Sequence, residues 1–168
     1  MVNDYADRGL QSAFVYVREA HPGENYPAHS SFEQKMQFAR DFQKMVGVTR
    51  PILVDDLEGT THRAFGTLPN MTYILNSAHT VIFRANWTDP PTIRWALDYH
   101  FDALDRRRSG LRQNPFYAEM YGFRWVDDNA FIEGLELSGQ KAVEEFQTAR
   151  EMWSRGEHLG TIKNKLLS

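Results

Sequence analysis

Two side chains able to move a proton follow a short apolar run near the start of the chain. Residues 14–17 predict a buried strand, and Glu19 and His21 come directly after it, before a Pro-Gly turn. Ligand crevices in open α/β sheets lie just beyond the carboxyl ends of such strands. Because a carboxylate fixes the tautomer of an imidazole and raises its basicity, the pair suits general acid–base catalysis. Glu19 and His21 alternate with Ala20, so both would face one side of a strand that continued.

No sulfur nucleophile accompanies this pair. The 168 residues contain no cysteine, which excludes disulfides, thiolate metal sites and thiol redox chemistry within this sequence. The six methionines do not replace a thiol, because a thioether has no ionisable proton. The sequence therefore carries the elements of a proton relay without a sulfur nucleophile beside it.

The composition is that of an ordinary globular protein with one domain, or one domain and an appendage. Hydrophobic residues make up 42% and charged residues 24% of the chain, and the net charge is −3. The short basic cluster at 106–108 is typical of a helix C-terminus and not of a nucleic-acid binder. The sequence has no apolar run of about twenty residues and begins with a polar stretch. We therefore expect a cytoplasmic protein that binds neither nucleic acid nor membrane.

Helices and strands alternate through the first two thirds of the chain. This alternation favours a parallel strand pair with crossover helices, and the four-residue loop at 76–79 favours a hairpin. Ser30 and Glu33 predict a capping box, and two prolines after Asp89 predict a helix start. We predict strands at residues 11–17, 51–55, 71–75 and 80–84, and helices at residues 2–9, 30–46, 58–65 and 89–104. The order is that of a thioredoxin-like three-layer α/β fold that is incomplete at its N-terminus.

The last third of the chain has a different character. An aromatic-rich stretch with little periodicity precedes two helices, predicted to end near Leu137 and Ser154. Such a stretch either packs beneath an extension or forms a hydrophobic box for a ligand. Its members are Phe116, Tyr117, Tyr121, Phe123 and Trp125. We divide the chain into a thioredoxin-like domain at residues 1–106 and an all-helical C-terminal extension at residues 107–168.

The segment from Tyr16 to Pro22 resembles the iodothyronine deiodinase family and its bacterial redoxin-like relatives. The resemblance lies in Tyr-Val-Arg-Glu-Ala-His-Pro, continues through Tyr26-Pro-Ala-His29, and covers roughly residues 3–104. Val54-Asp55-Asp56 and the approach to Pro69 support it. Members of this family are thioredoxin-fold reductases. The resemblance implies that four side chains line a reductive site: Tyr16, Glu19, His21 and His29. The fold further implies a cis peptide bond between Leu68 and Pro69.

The sequence departs from the family at the nucleophile. The family's selenocysteine or cysteine follows a first strand that would precede Met1 here. We therefore expect a deiodinase-like protein that is redox-inactive as it stands. The missing start has three open explanations: the cloned boundaries, the choice of start codon, or evolution. In a longer native chain, Glu19 and His21 would relay protons during reduction of a peroxide, a disulfide or a halogenated aromatic compound. No cofactor is expected.

Two other classes of function remain open. A degenerate subunit would bind a second copy or another protein through an exposed sheet edge and the C-terminal helices. A metal-dependent enzyme would instead use two histidines with carboxylates, drawn from Glu19, His21, His29 and Asp55. The sequence identifies neither a substrate nor a partner.

Overall fold

The computed structural model describes residues 1–113, 115 and 127–157. Within these residues the chain is mixed α/β. It divides into two compact units, and the boundary between them falls inside the helix at Phe32–Val46. The first unit holds residues 1–17, 39–113 and 115, and the second holds residues 18–38 and 127–157. The elements are a 3-10 helix (Val2–Arg8), β1 (Phe14–Tyr16), α1 (Phe32–Val46), β2 (Ile52–Val54), α2 (Thr60–Phe65), β3 (Thr72–Leu75), β4 (Val81–Ala85), α3 (Pro90–Arg108), α4 (Asp128–Ser138) and α5 (Gln140–Ser154).

The strands of the first unit form two pairs. β1 runs parallel to β2, and the connection between them contains α1, as a parallel pair requires. β3 and β4 form an antiparallel hairpin, whose turn is held by the Asn76 carboxamide oxygen accepting from the backbone N–H groups of Ala78 and Thr80. The predicted parallel pair and hairpin are confirmed. In the part of the chain that the structure describes, the two pairs are separate two-stranded sheets and do not form one sheet.

The core of the first unit joins the N-terminal 3-10 helix to α3 and the hairpin. The Tyr5 ring is 93% buried and stacks on Phe101, with ring centroids 5.6 Å apart. Its hydroxyl group donates a 2.6 Å hydrogen bond to the Asp98 carboxylate. Ile74, Ile93 and Leu97 complete this cluster with Ala96. Residues 2–8 are helical, as predicted, and Gly9 ends the helix in the left-handed conformation, with φ of 76°.

Apolar side chains on one face of each strand pair remain exposed. Val15 and Leu53 are neighbours in the β1–β2 register and are 43% and 58% exposed. Leu75 and Val81 are neighbours in the hairpin register and are also exposed. The alternate residues Phe14 and Tyr16 point the other way and contact the Phe42 ring of α1. Each small sheet is therefore covered on one face, and its second face carries uncovered apolar residues.

The second unit is built on the junction between α4 and α5. The Glu24 carboxylate accepts hydrogen bonds from the backbone N–H groups of Gln140 and Lys141, at 2.7 and 3.0 Å. The backbone N–H of Asn25 donates to the carbonyl oxygen of Ser138, and the Asn25 side-chain amide donates to that of Leu137. The loop thus satisfies groups left free at the end of α4 and at the start of α5.

Two local predictions are corrected. The N-terminal box of α1 uses Ser31 and Gln34, one residue later than the predicted Ser30 and Glu33. Ser31 Oγ accepts from the Gln34 backbone N–H, and the Gln34 side-chain oxygen accepts from the backbone N–H of Ser30. Both registers fit the Ser-x-x-Glu/Gln pattern, so the pattern alone does not choose between them. The peptide bond before Pro69 is trans, because no cis peptide occurs among the described residues; trans is the favoured isomer by about 0.5–1 kcal/mol.

Two further expectations concern the aromatic stretch and membrane binding. The aromatic stretch from Phe116 to Trp125 lies outside the described residues. Among the residues that are described, no helix has the length and apolar character needed to cross a membrane. The division into residues 1–106 and 107–168 stays a prediction.

The close contact at Gly23 predicts an asymmetry between two glycine substitutions. A methyl group added at Gly23 would overlap the carbonyl oxygen of Ser138, whereas one added at Gly134 in α4 meets open space. Gly23→Ala should lower the free energy of unfolding by about 1–3 kcal/mol through overpacking. Gly134→Ala should raise it by up to about 1 kcal/mol through helix propensity. Urea unfolding measures both, and a Gly23→Ala protein as stable as the wild type would contradict the described docking.

Candidate functional site

Glu19 and His29 lie together in the second unit. His29 Nε2 is 3.7 Å from Glu19 Oε1, a distance that forms an ion pair when the imidazole is protonated. The His29 side chain is 6% exposed and that of Glu19 is 19% exposed. The pair therefore reaches solvent mainly through the carboxylate. These are the two predicted site residues that the structure brings together.

Lys35 is a buried member of the same unit that the sequence analysis missed. Its residue exposure is 2%, the lowest among the large described side chains. It lies in the first turn of α1, where its backbone N–H donates to the Ser31 carbonyl oxygen. Helical periodicity contained a signal, because Lys35 stands four residues before Ala39 and seven before Phe42 and so shares a helix face with both.

Aromatic rings line the segment that carries His29. The Phe38 ring lies 5.5 Å from the imidazole of His29 and 5.0 Å from the ring of Tyr26, measured between centroids. These rings exclude water and lower the local dielectric constant. Ionised groups near them interact more strongly than they would in water.

Burial and a neighbouring cation set the charge of His29. Burial lowers the pKa of the imidazole below its usual 6.5, and the positive charge of Lys35 lowers this pKa further. The Glu19 carboxylate acts in the opposite direction, since a negative charge 3.7 Å away favours imidazolium. We hold that the pKa is lowered, because a side chain 94% shielded from water loses most of the hydration that a charged ring needs. His29 is therefore neutral at pH 7.

His21 does not pair with Glu19, contrary to the sequence-based expectation. Its ring packs edge-on against Phe131 of α4 and Phe146 of α5, with centroids 5.7 and 5.6 Å away. Burial lowers the pKa of His21, and the nearby carboxylate of Glu145 partly opposes this. The expectation assumed that the strand continued to residue 21, but β1 ends at Tyr16 and the chain bends at residues 20 and 21. The two-residue alternation therefore does not apply.

Tyr16, the fourth predicted site residue, belongs to the first unit. It is the last residue of β1, where its ring lies 6.2 Å from that of Phe42. Its carbonyl oxygen accepts a hydrogen bond from the backbone N–H of Asp55. The structure thus gives Tyr16 a place in the packing of α1 against the parallel strands.

Asp55 is buried at the end of β2 and holds the start of α2. Its carboxylate accepts hydrogen bonds from the backbone N–H groups of Asp56, Thr61 and His62, at 2.9–3.0 Å. Burial acts to raise the pKa of Asp55, but these N–H donors outweigh it and the pKa is lowered. The carboxylate is therefore ionised and engaged by the backbone.

The alternative in which carboxylates and histidines converge on a metal finds no support in the described part of the chain. Within residues 1–113, 115 and 127–157, no group of three or more His, Asp or Glu side chains is placed to hold a metal ion. The Asp55 carboxylate accepts hydrogen bonds at the start of α2, and the His21 ring packs against aromatic rings. Of the two histidines, His29 is the one that lies near Glu19.

The arrangement suits proton transfer. A neutral imidazole accepts a proton, and an adjacent carboxylate stabilises the imidazolium that forms. Comparisons with protein-family models, with curated proteins and with solved structures found no match to this chain. The chemistry of the site is therefore argued from its residues.

The lowered pKa of His29 predicts a pH dependence of stability. As the pH falls below about 6.5, the unfolded chain binds protons that the folded protein does not, so the free energy of unfolding falls. His21 and His100 act in the same direction. His29→Gln should therefore flatten part of the decline between about pH 7 and pH 5. Urea unfolding across this range measures it, and equal slopes for variant and wild type would contradict the buried neutral ring.

Proposed function

We propose that this chain is a thioredoxin-like, deiodinase-related protein that supplies the proton-transfer half of a reductive site. In this proposal Glu19 and His29 form the relay. The nucleophile is a thiol or selenol that is not among the 168 residues, because these contain no cysteine. The proposal replaces His21 with His29 as the relay imidazole.

The order of elements supports the fold named in this proposal. A parallel β1–α1–β2 unit precedes an antiparallel β3–β4 hairpin, and a long helix follows the hairpin. This is the βαβ plus ββα order of a thioredoxin-like domain. Glu19 follows β1 by three residues in the chain, and His29 precedes α1 by three. The relay residues thus belong to the loop between the strand and the helix of the parallel unit.

The chemistry divides into two proton transfers. Neutral His29 takes the proton of the thiol, which leaves a thiolate and an imidazolium ion beside the Glu19 carboxylate. The thiolate then attacks one sulfur of a disulfide, forming a new S–S bond and breaking the old one. The leaving thiolate takes the proton back from His29, so the imidazole returns to its neutral form and no proton is lost.

The geometry of the Glu19–His29 pair is the main support for this proposal. The Glu19–His29 pair combines a carboxylate and an imidazole at 3.7 Å, in a place that keeps the imidazole neutral at physiological pH. A surface pair of the same residues would be solvated and would exchange partners. A shielded pair holds one geometry, which general acid–base catalysis requires.

Thiol–disulfide exchange with an added thiol tests this function. Dithiothreitol and an aromatic disulfide dye are mixed with the protein, and release of the dye thiol is followed by absorbance. We expect the wild type to accelerate exchange at least about tenfold over buffer, since a positioned general base contributes this much or more. His29→Asn should remove the acceleration.

A matched substitution controls for general effects of losing a histidine. His79 lies exposed in the hairpin turn with φ of 59°, a conformation that asparagine accepts well. His79→Asn should therefore keep the wild-type rate. Exchange at the buffer rate with the wild-type protein, or equal rates for His29→Asn and the wild type, would overturn the proposed relay.

A second candidate function is a non-catalytic subunit that associates with a second copy of itself. The observation that favours it is the uncovered face of β1–β2, where Val15 and Leu53 are exposed side by side. A two-fold axis would place this apolar pair against the same pair of another copy, and each strand pair is only two-stranded within the described residues.

Light scattering after size-exclusion chromatography tests this association. We expect the wild type to form a dimer or larger oligomer, and Leu53→Ser to shift it towards monomer because a polar side chain weakens apolar contact. Leu111→Ser, at an equally exposed leucine just after α3, should leave the mass unchanged. A monodisperse wild-type monomer would count decisively against self-association.

A further inference from the structure

An open groove of about 540 Å³ lies in the first unit, beside the residues that lead into β1 and β2. Its volume is within the range of about 300–1,000 Å³ that small-molecule sites occupy. Four of the described residues that line it are apolar: Val2, Leu10, Ala13 and Pro51. The proposed relay residues do not line it, so the groove is a different site.

One basic side chain, Arg50, lines this groove and is held by two contacts. Its Cζ atom lies 4.3 Å from the centroid of the Phe14 ring, in cation–π contact. Its Nη1 atom donates a hydrogen bond of 3.1 Å to the Ser12 hydroxyl oxygen. A guanidinium group that is stacked on a ring and bonded at one nitrogen is already oriented. A ligand that binds it therefore does not have to order it.

The charge of the groove comes from this arginine. None of the described residues that line it is acidic, and the two other polar ones, Gln11 and Ser12, are neutral. Arginine stays protonated at physiological pH and has five N–H donors in a planar fork. Such a fork matches a carboxylate, which accepts two parallel hydrogen bonds from it. The groove thus presents one positive charge next to an apolar surface.

We propose that this groove binds a small aliphatic carboxylate. The carboxylate accepts hydrogen bonds from Arg50, and the Ser12 hydroxyl group, whose oxygen accepts from Arg50, donates its own proton to the ligand. The alkyl chain lies against Leu10, Ala13 and Pro51. An inorganic anion would use the guanidinium group but leave this apolar surface in water, whereas an alkyl chain covers it.

Titration of ¹⁵N-labelled protein with sodium hexanoate tests this binding. The backbone amide signals of residues 10–14 and of Arg50 should shift and saturate, with a Kd of about 1 mM, a scale that ligands of this size reach. Hexan-1-ol has the same chain length without the negative charge. It should bind at least about tenfold more weakly, because the charge-assisted hydrogen bonds are lost.

Substitution of Arg50 tests the role of the guanidinium group. Arg50→Gln removes the charge and should weaken hexanoate binding at least about tenfold. Arg40 is an exposed arginine of α1 that does not line the groove, so Arg40→Gln should leave the Kd unchanged.

A second pair of variants keeps Arg50 and its packing on Phe14. Ala13 is an exposed lining residue that directly precedes β1. Ala13→Glu adds a negative charge to the groove and should weaken hexanoate binding about tenfold through repulsion. Ala13→Lys adds a long side chain of opposite charge and should not weaken it.

Four results would overturn the assignment. These are the absence of saturable shifts up to about 20 mM hexanoate, equal affinity for hexanoate and hexan-1-ol, an unchanged Kd in folded Arg50→Gln, and equal affinities of Ala13→Glu and Ala13→Lys. The measurement reports binding alone. Its result is therefore independent of the thiol–disulfide exchange proposed for Glu19 and His29.

Discussion

The burial of titratable side chains around residues 19–35 is the constraint on which the second unit depends. A lysine, a histidine and a carboxylate that lose their water must be compensated by one another or by hydrogen bonds, or the folded state is destabilised. The Glu19–His29 distance and the lowered pKa of His29 are two consequences of this requirement. A position shielded from water holds the carboxylate and the imidazole in one arrangement. That property links the packing of this segment to its proposed chemistry.

The loop that carries these groups has no regular secondary structure of its own. Residues 17–30 form neither helix nor strand, so their backbone groups must find partners elsewhere. Glu24 and Asn25 provide them by bonding to the backbone at the α4–α5 junction. The same loop places His21 against the aromatic rings of Phe131 and Phe146. The C-terminal helices are thus part of what fixes the conformation of this loop.

Local patterns in the sequence predicted most of the elements. Asp89 and the prolines after it predicted the start of α3, where the Asp89 carboxylate accepts from the backbone N–H of Thr92. The turn at residues 76–79 predicted the hairpin. Contacts between distant residues were not predictable in this way. Glu24 caps a helix that begins 116 residues later, and no periodicity within either segment encodes that pairing. His21 was misplaced for a related reason: its expected orientation assumed a strand, but its ring packs against Phe131 and Phe146, far along the chain.

The sequence likewise predicted some residues of the candidate site and missed others. Glu19 and His29 were named from the sequence through a family resemblance, and they do meet. Lys35 was overlooked because a lysine is ordinarily a surface residue, although its spacing puts it on the same helix face as Ala39 and Phe42. Tyr16 belongs to the first unit and helps to pack α1 against β1.

A double-mutant cycle on Glu19 and His29 measures whether the two side chains act as one unit. The free energies of unfolding of the wild type, Glu19→Gln, His29→Gln and the double variant are compared by urea unfolding at pH 7. A coupled buried pair predicts an interaction free energy of at least about 0.5 kcal/mol, as residues in contact show. Additivity within about 0.3 kcal/mol would show two independent side chains and would contradict the relay.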